Sequence, residues 1–145
     1  MFILSGWLKP SAFISDDLMV EKIESLFQEL VNSSMHCFPA KGRVRVSEKQ
    51  GVYIVYSKQN QVLHVGRTDG GENGLDQRLY NHIAGESVLR KNYLRPNGIN
   101  LRQGGSFRFV NLEDYRGRVF LEALAIGKLC PAYIGKGREA HRKTR

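Results

Sequence analysis

Gly51-Val-Tyr-Ile-Val-Tyr56 and Val62-Leu-His-Val-Gly66 are two short apolar stretches separated by a polar segment, Ser57 to Gln61. β-Branched and aromatic residues dominate the first stretch, as they do in buried β-strands. Two such stretches joined by a short polar turn are typical of a β-hairpin. The sequence therefore predicts a hairpin at the centre of the fold.

Helical patterns lie on both sides of this predicted hairpin. Residues 15–31 begin with a capping serine and early acidic residues, and their apolar residues then recur at helical spacing. The same spacing recurs over 75–84 and 115–129, whereas residues 107–110 alternate like a third strand. This order predicts an α+β fold with a small central antiparallel-containing sheet, a β-hairpin and flanking helices.

The length of 145 residues suits one compact domain with its own core. We divide it into an N-terminal amphipathic helix with a linker (1–50), a core (51–135) and a basic C-terminal tail (136–145). A glycine-rich loop, 69–74, connects the hairpin to the second predicted helix.

The net charge of +8 favours a polyanionic partner such as nucleic acid. Basic residues are concentrated in the second half, because residues 86–118 contain seven basic and three acidic side chains and residues 128–145 contain six and one. We predict a nucleic-acid-facing surface there. Residues 138–145 taken alone suit a solvated tail equally well.

Other classes of protein fit less well. Cys37 and Cys130 lack the spacing of a zinc site, and we expect reduced thiols. Residues 1–10 do not resemble a signal peptide, and no apolar run approaches the roughly 20 residues that span a bilayer. The N-terminal helix is acidic and poorly suited to anionic lipid. We therefore expect a cytoplasmic protein without membrane contact.

Glu122 is the only polar residue in the segment Val119–Ile126. Since the predicted helix is apolar nearly all round, we expect it to be mostly buried. A buried carboxylate is unfavourable unless a metal or another cation compensates its charge. A metal site, a neighbouring arginine or a narrow exposed edge would each account for this glutamate.

Two further pairs of residues are spaced so that at least one member of each could face a cleft. Arg78 and His82 lie one helical turn apart at the border between an apolar stripe and solvent, although a solvated surface pair explains them as well. Tyr53 and Tyr56 are three positions apart and point to opposite faces of a strand. At most one of these tyrosines therefore enters a given cleft, and parity does not say which.

Together these motifs resemble the GIY-YIG endonuclease family over about 80 residues, 51–131. Gly51-Val-Tyr53 resembles the first signature and His64-Val-Gly66 the second, and the later motifs follow in the family's order: Arg67-Thr68, Arg78, His82 and Glu122. The resemblance selects Tyr53, not Tyr56, as the residue of the cleft.

The sequence departs from the family in two places. His64 stands where the second signature has a tyrosine, and no asparagine follows Asn111, although the family often has one beyond the last helix. A literal Tyr133-Ile-Gly135 also occurs about 80 residues after Tyr53. Because the second signature belongs to the strand next to the first, we interpret this later motif as unrelated to it.

The resemblance implies a metal-dependent endonuclease. Glu122 would hold one Mg²⁺ (or Mn²⁺), and Arg78 would bind the non-bridging phosphate oxygens. Tyr53, helped by His82 or His64, would orient and deprotonate the attacking water. An unperturbed phenol is a poor base near neutral pH, so we expect nearby cations to lower the pKa of Tyr53.

The resemblance also favours DNA over RNA as the substrate, and a restriction-type enzyme would work as a homodimer, with the N-terminal helix as a dimerisation or DNA-recognition element. The candidate residues for phosphate contacts are basic and lie after the hairpin: Arg67, Arg90, Lys91, Arg95 and Arg102. The alternative is a non-catalytic nucleic-acid-binding module that retains the same fold, which the presence of His64 would suit.

Overall fold

A four-stranded antiparallel sheet is the framework of the computed structural model, which describes residues 16–135. Its strands are β1 (His36–Cys37), β2 (Gly51–Tyr56), β3 (Val62–Arg67) and β4 (Ser106–Asn111), in the spatial order β1-β4-β2-β3. The flanking helices are α1 (Asp16–Val31), α2 (Leu75–Asn81) and α3 (Tyr115–Leu129), and Arg90–Leu94 form a π-helical turn. The α+β fold class is confirmed. The basic tail, 136–145, lies outside the described residues.

The predicted hairpin is formed by β2 and β3. Tyr53 pairs with Gly66, and Ile54 pairs with Val65. Because side chains alternate along a strand and paired residues share a face, Tyr53 lies on the same face as His64, whereas Ile54 and Val65 occupy the opposite face. β2 lies between β3 and β4 and is buried on both faces, which explains its continuous apolar sequence.

Each face of the sheet carries an apolar cluster. On one face, α1 and α3 contribute the buried residues Ile23, Phe27, Leu30, Leu121 and Ala125. On the other face, α2 and the segment after it contribute Leu75, Leu79, Ile83, Leu89, Tyr93, Leu94 and Leu101. Burial of Leu75 and Leu79 fixes the rotation of α2, and this rotation directs Arg78 and His82 towards the end of β3.

The apolar face of α1 packs within the fold, where Ile23, Phe27 and Leu30 are buried in the cluster shared with α3. The predicted amphipathic helix is confirmed. Residues 32–50, predicted to be a linker, also contain β1, which pairs with β4 at the sheet edge. A strand of two residues is too short to produce a periodic pattern, so it could not be predicted from the sequence.

The prediction that α3 is mostly buried was wrong. Its buried residues are Gly117, Arg118, Leu121 and Ala125, whereas Phe120 is 37% exposed. The helix packs on one side only, against α1 and the sheet, so apolar residues remain on its outer side. Glu122 lies at the border, and its side chain is 25% exposed.

Two expectations from composition concern the cysteines and membrane contact. Cys37 and Cys130 are both exposed and are not joined in a disulfide, as predicted for reduced thiols. Among residues 16–135, no helix combines the length and the apolar character needed to cross a bilayer.

Candidate active site

A cavity of about 520 Å³ opens around the end of β3. Its lining includes the five residues predicted to carry catalysis and one predicted phosphate contact: Tyr53, His64, Arg78, His82, Glu122 and Arg67. These residues come from β2, β3, α2 and α3, so the fold brings together positions that span about half of the sequence.

A second concavity, of about 640 Å³, lies between residues 43–48 and 72–77. Its lining contains no histidine, tyrosine or cysteine, and the carboxylate of Asp76 already accepts hydrogen bonds from the backbone of Val46 and Ser47, at 2.6 and 2.8 Å. The cavity at β3, whose lining combines phenols with two imidazoles, is therefore the better candidate for acid–base chemistry.

The Tyr53 hydroxyl belongs to one of the most buried side chains of this cavity. It lies 2.6 Å from Nε2 of His82, and the residue is only 1% exposed. A Cβ atom on Gly66 would lie 2.4 Å from the hydroxyl oxygen. Glycine at this position is what allows the phenol ring to extend across β3.

The expected lowering of the Tyr53 pKa is not found, and this prediction was wrong for the protein without bound metal. Burial raises the pKa of Tyr53 above its ordinary value, and the nearby Arg78 guanidinium opposes this effect only in part. The phenol is therefore neutral near pH 7. To act on a water it must accept the water's proton in the same step in which it gives its own proton to His82.

His82 is buried, not at the border with solvent as expected, and is 5% exposed. Its Nδ1 lies 2.8 Å from the hydroxyl oxygen of Ser87. Burial, followed by the nearby His64 and Arg78, holds the pKa of His82 well below its usual range. The imidazole is therefore neutral, with one nitrogen able to donate and the other able to accept a hydrogen bond.

His64 occupies the position of the second signature's tyrosine, on the same face as Tyr53. Its ring centroid is 6.0 Å from that of Tyr53 and 5.5 Å from that of His82. Burial lowers the pKa of His64 to about 4, with a smaller contribution from Arg78 and an opposing one from the backbone of Tyr133. His64 is therefore also neutral near pH 7.

Charged groups surround the mouth of the cavity. Arg67 contacts Glu122 through Nε at 3.1 Å and Asp69 through Nη1 at 3.0 Å. Arg78 contacts the same Asp69 at 3.3 Å and donates from Nε to the backbone oxygen of Arg67 at 3.2 Å. Burial raises the pKa of Glu122, and the Arg67 guanidinium opposes this shift. Two of the three explanations offered for Glu122 therefore apply, because it contacts an arginine and its side chain lies at a partly exposed edge.

These residues fit a magnesium ion bound together with substrate. In the part of the chain that the structure describes, no three histidine, cysteine or acidic side chains are grouped closely enough to hold a metal by themselves. Magnesium in phosphoryl-transfer sites is commonly held by one or two carboxylates, with phosphate oxygens and water completing its shell. Glu122, on the cavity wall, can supply one such carboxylate, in competition with Arg67.

Tyr133 is a cavity residue that sequence reasoning placed elsewhere. The backbone amides of Ala132 and Tyr133 donate to the carbonyls of Val62 and Leu63, at 3.1 and 2.9 Å, and attach this segment to the outer edge of β3. The Tyr133 ring is 2% exposed and lies 6.1 Å from that of His64. Tyr133 is thus beside the second signature in space, although it is far from it in sequence.

The basic residues predicted to contact nucleic acid have different surroundings. Arg90 and Arg95 approach Glu86 at 4.0 and 2.8 Å, and Lys91 between them is exposed. Arg102 donates at 3.1 Å to two backbone carbonyls of the loop that precedes β2, and it does not line the cavity. Arg67 is a cavity residue, as described above. Phosphate contact by these residues stays a prediction.

Comparison with known proteins adds no relative, because neither a protein-family model nor a curated protein matches this chain. The functional argument therefore rests on the cavity itself. Its parts are a hydrogen-bonded phenol and imidazole, two guanidinium groups and one partly buried carboxylate.

Proposed function

We propose that this protein is a metal-dependent endonuclease of the GIY-YIG type, which hydrolyses phosphodiester bonds of DNA. The observation that carries the proposal is the 2.6 Å hydrogen bond between Tyr53 and His82, in a cavity shared with Arg78 and Glu122. Hydrolysis of a phosphodiester needs an activated water, charge stabilisation at phosphorus and assistance for the leaving oxygen. This cavity has a group suited to each.

Activation of water is assigned to Tyr53 and His82 acting in series. The water donates one proton to the phenolic oxygen, while the phenolic proton moves to Nε2 of His82. The O–H bond of the water breaks as its oxygen bonds to phosphorus. The bond from phosphorus to the leaving oxygen breaks, and this oxygen departs as an alkoxide that takes a proton from solvent. This route needs no free phenolate, in agreement with the raised pKa of Tyr53.

Charge stabilisation is assigned to Arg78, whose side chain is 39% exposed at the cavity mouth. Its planar guanidinium can donate to two non-bridging phosphate oxygens. Asp69 binds this guanidinium in the structure, so an arriving phosphate would take over part of the position of that carboxylate. Arg67 has a second contact with the same carboxylate and is suited to the neighbouring phosphate.

Glu122 is the residue that would hold Mg²⁺ or Mn²⁺. The bound ion would supply charge neutralisation at the phosphate and at the leaving oxygen. For this, the carboxylate must exchange its contact with Arg67, at 3.1 Å, for the cation. Such an exchange releases Arg67 towards the DNA.

DNA is the proposed substrate, and a homodimer would supply the two active sites required to cut both strands. The rival proposal is a binding module without activity. The observation that favours it is the neutral, buried His64 in place of the tyrosine of the second signature.

A cleavage assay tests the proposal. Plasmid DNA, single-stranded DNA and single-stranded RNA are incubated with the protein in Mg²⁺, Mn²⁺ or EDTA. We expect DNA cleavage with either metal and none in EDTA, and an affinity that falls steeply with salt because phosphate contacts dominate. Salt-sensitive binding without cleavage in either metal would favour the binding module. A chain without residues 136–145 shows how far the basic tail contributes to affinity.

A further inference from the structure

Ser87 lies on the cavity wall, five residues after His82. Its hydroxyl oxygen accepts a hydrogen bond from the backbone amide of Arg90 at 3.1 Å, as a capping side chain does at the start of a helical segment. Its backbone oxygen accepts from the amide of Lys91 at 2.9 Å. The Ser87 hydroxyl therefore has a position fixed by the backbone that follows it.

The Ser87 hydroxyl is the first member of a hydrogen-bonded series that continues through His82 to Tyr53. Ser87 Oγ lies 2.8 Å from Nδ1 of His82, and Nε2 of the same ring lies 2.6 Å from the Tyr53 hydroxyl. A neutral imidazole donates from one nitrogen and accepts at the other. The series can therefore run in one of two directions, and its direction decides where the phenolic hydrogen points.

The short distance between the Tyr53 oxygen and Nε2 of His82, 2.6 Å, selects between the two directions. An O–H donor approaches its acceptor to roughly 2.5–3.0 Å, whereas an N–H donor stays at roughly 2.7–3.2 Å. The phenol is therefore the donor and Nε2 of His82 the acceptor. With Nε2 accepting, the ring hydrogen is on Nδ1, and Ser87 Oγ has a second lone pair to accept it.

We infer that Ser87 is a positioning residue that holds His82 in the tautomer protonated on Nδ1, so that the Tyr53 hydroxyl donates to His82 and presents its lone pairs to the cavity. A water at the cavity can then donate to the phenolic oxygen. When Nε2 takes up the phenolic proton, Ser87 Oγ continues to accept from Nδ1. The catalytic consequence rests on the proposed nuclease function, whereas the tautomer of His82 is a property of the fold.

The tautomer is measured by ¹H–¹⁵N correlation spectra of histidine-labelled protein, with no substrate or metal. We expect the parent to show a protonated Nδ1 and an unprotonated Nε2 at His82. Ser87→Ala should shift both nitrogens towards the averaged values of exchanging tautomers, and Ser87→Thr, which keeps the hydroxyl, should restore the parental pattern. A parent protonated on Nε2, or a Ser87→Ala protein with an unchanged pattern, would overturn the inference.

Asp114→Ala is the matched control, because Asp114 also caps a helix, accepting from the Gly117 amide at 2.9 Å, without contact to His82. It should leave the His82 pattern and cleavage unchanged. In the cleavage assay, Ser87→Ala should lower kcat by roughly 10- to 100-fold with KM nearly constant, as loss of an outer-shell orienting contact does, and Ser87→Thr should recover most of it. A parental kcat in Ser87→Ala would overturn the catalytic consequence. If the parent itself cuts no DNA, the proposed function fails, and the spectra alone still decide the tautomer.

Discussion

Tyr53 and Tyr56 lie three positions apart on β2 and have opposite surroundings. Tyr53 faces the cavity, with His82 at hydrogen-bond distance, whereas the Tyr56 ring packs with the cluster of α1 and α3 and lies 5.8 Å from the Arg108 guanidinium. Strand alternation required this division, and the resemblance indicated the correct tyrosine. Removing the Tyr53 hydroxyl therefore tests its role in cleavage, and removing the Tyr56 hydroxyl is the matched control.

Tyr53→Phe should slow DNA cleavage by at least about 100-fold, because it removes the hydroxyl that would link the attacking water to His82. The ring and its packing remain, so the far-ultraviolet circular dichroism spectrum and the thermal midpoint should change little. Single-turnover cleavage rates in Mg²⁺ provide the measurement.

Tyr56→Phe removes a hydroxyl from the same strand on the other face and should cleave at the parental rate. If Tyr53→Phe were as active as Tyr56→Phe, the phenol would have no part in the mechanism.

At the scale of elements, β3 and β2 must approach closely at Gly66 for the site to form. An alanine Cβ there would lie 2.4 Å from the Tyr53 oxygen and 2.9 Å from Nε2 of His64. Gly66→Ala should therefore force the phenol away from His82, destabilise the fold by about 1–3 kcal/mol through overpacking, and abolish cleavage. Denaturant unfolding and the cleavage assay measure both effects.

Gly127→Ala supplies the opposite case, because among residues 16–135 no atom outside the backbone of α3 and the chain neighbours of Gly127 lies within 4 Å of the added Cβ. It should stabilise the protein by about 0.5–1 kcal/mol through helix propensity. Equal stability of the two alanine variants would show that the phenol does not lie across Gly66.

The elements differ in how far the sequence could predict them. α1, the hairpin, β4 and α3 were predicted to within a residue or so, because each has several repeats of its apolar period. The short β1 has no period, and the attachment of Tyr133 to β3 depends on backbone contacts across about 70 residues. The burial of α3 was overestimated because composition does not reveal how many sides of a helix are covered.

The residues of the cavity could also be predicted only in part from the sequence. Motif order grouped five catalytic candidates that local patterns alone could not have grouped, and all five line one cavity. Their catalytic roles stay predictions. Ser87 and Asp69 were not identified. Serines and aspartates are common in polar loops, and only their distances to His82, Arg67 and Arg78 distinguish these two.

For the whole molecule, the buried histidines make stability dependent on pH. The pKa of His64 is about 4 in the folded protein and near 6.5 when unfolded, so the unfolded chain binds the extra proton first as the pH falls. The stabilisation is present above pH 6.5 and is lost progressively towards pH 4. It amounts to about 3 kcal/mol at most for this group, and His82, with its lowered pKa, acts in the same direction.

Denaturant unfolding at pH 7, 6 and 5 measures this effect. Stability should fall at each step, and His64→Phe, which keeps an aromatic ring at this buried position, should lose less over the range. An identical pH dependence in the two proteins would mean that His64 is not kept neutral by burial.

Glu122 is the residue proposed to hold the metal for cleavage, and the most direct measurement of this role compares the parent with Glu122→Gln. Because Glu122 is partly exposed and Arg67 retains Asp69 as a partner, the variant should be as stable as the parent or slightly more stable, within about 1 kcal/mol. Glu29→Gln, on the exposed side of α1, controls for the lost charge and should cut DNA like the parent.

In this comparison, DNA binding, thermal melting and cleavage are measured on the same samples, with Mg²⁺ and with EDTA. We predict that Glu122→Gln binds DNA and melts like the parent but no longer cleaves it in Mg²⁺. A Glu122→Gln protein that cuts at the parental rate, or one whose loss of activity follows a melting transition several degrees lower, would contradict the assignment of Glu122 to the metal.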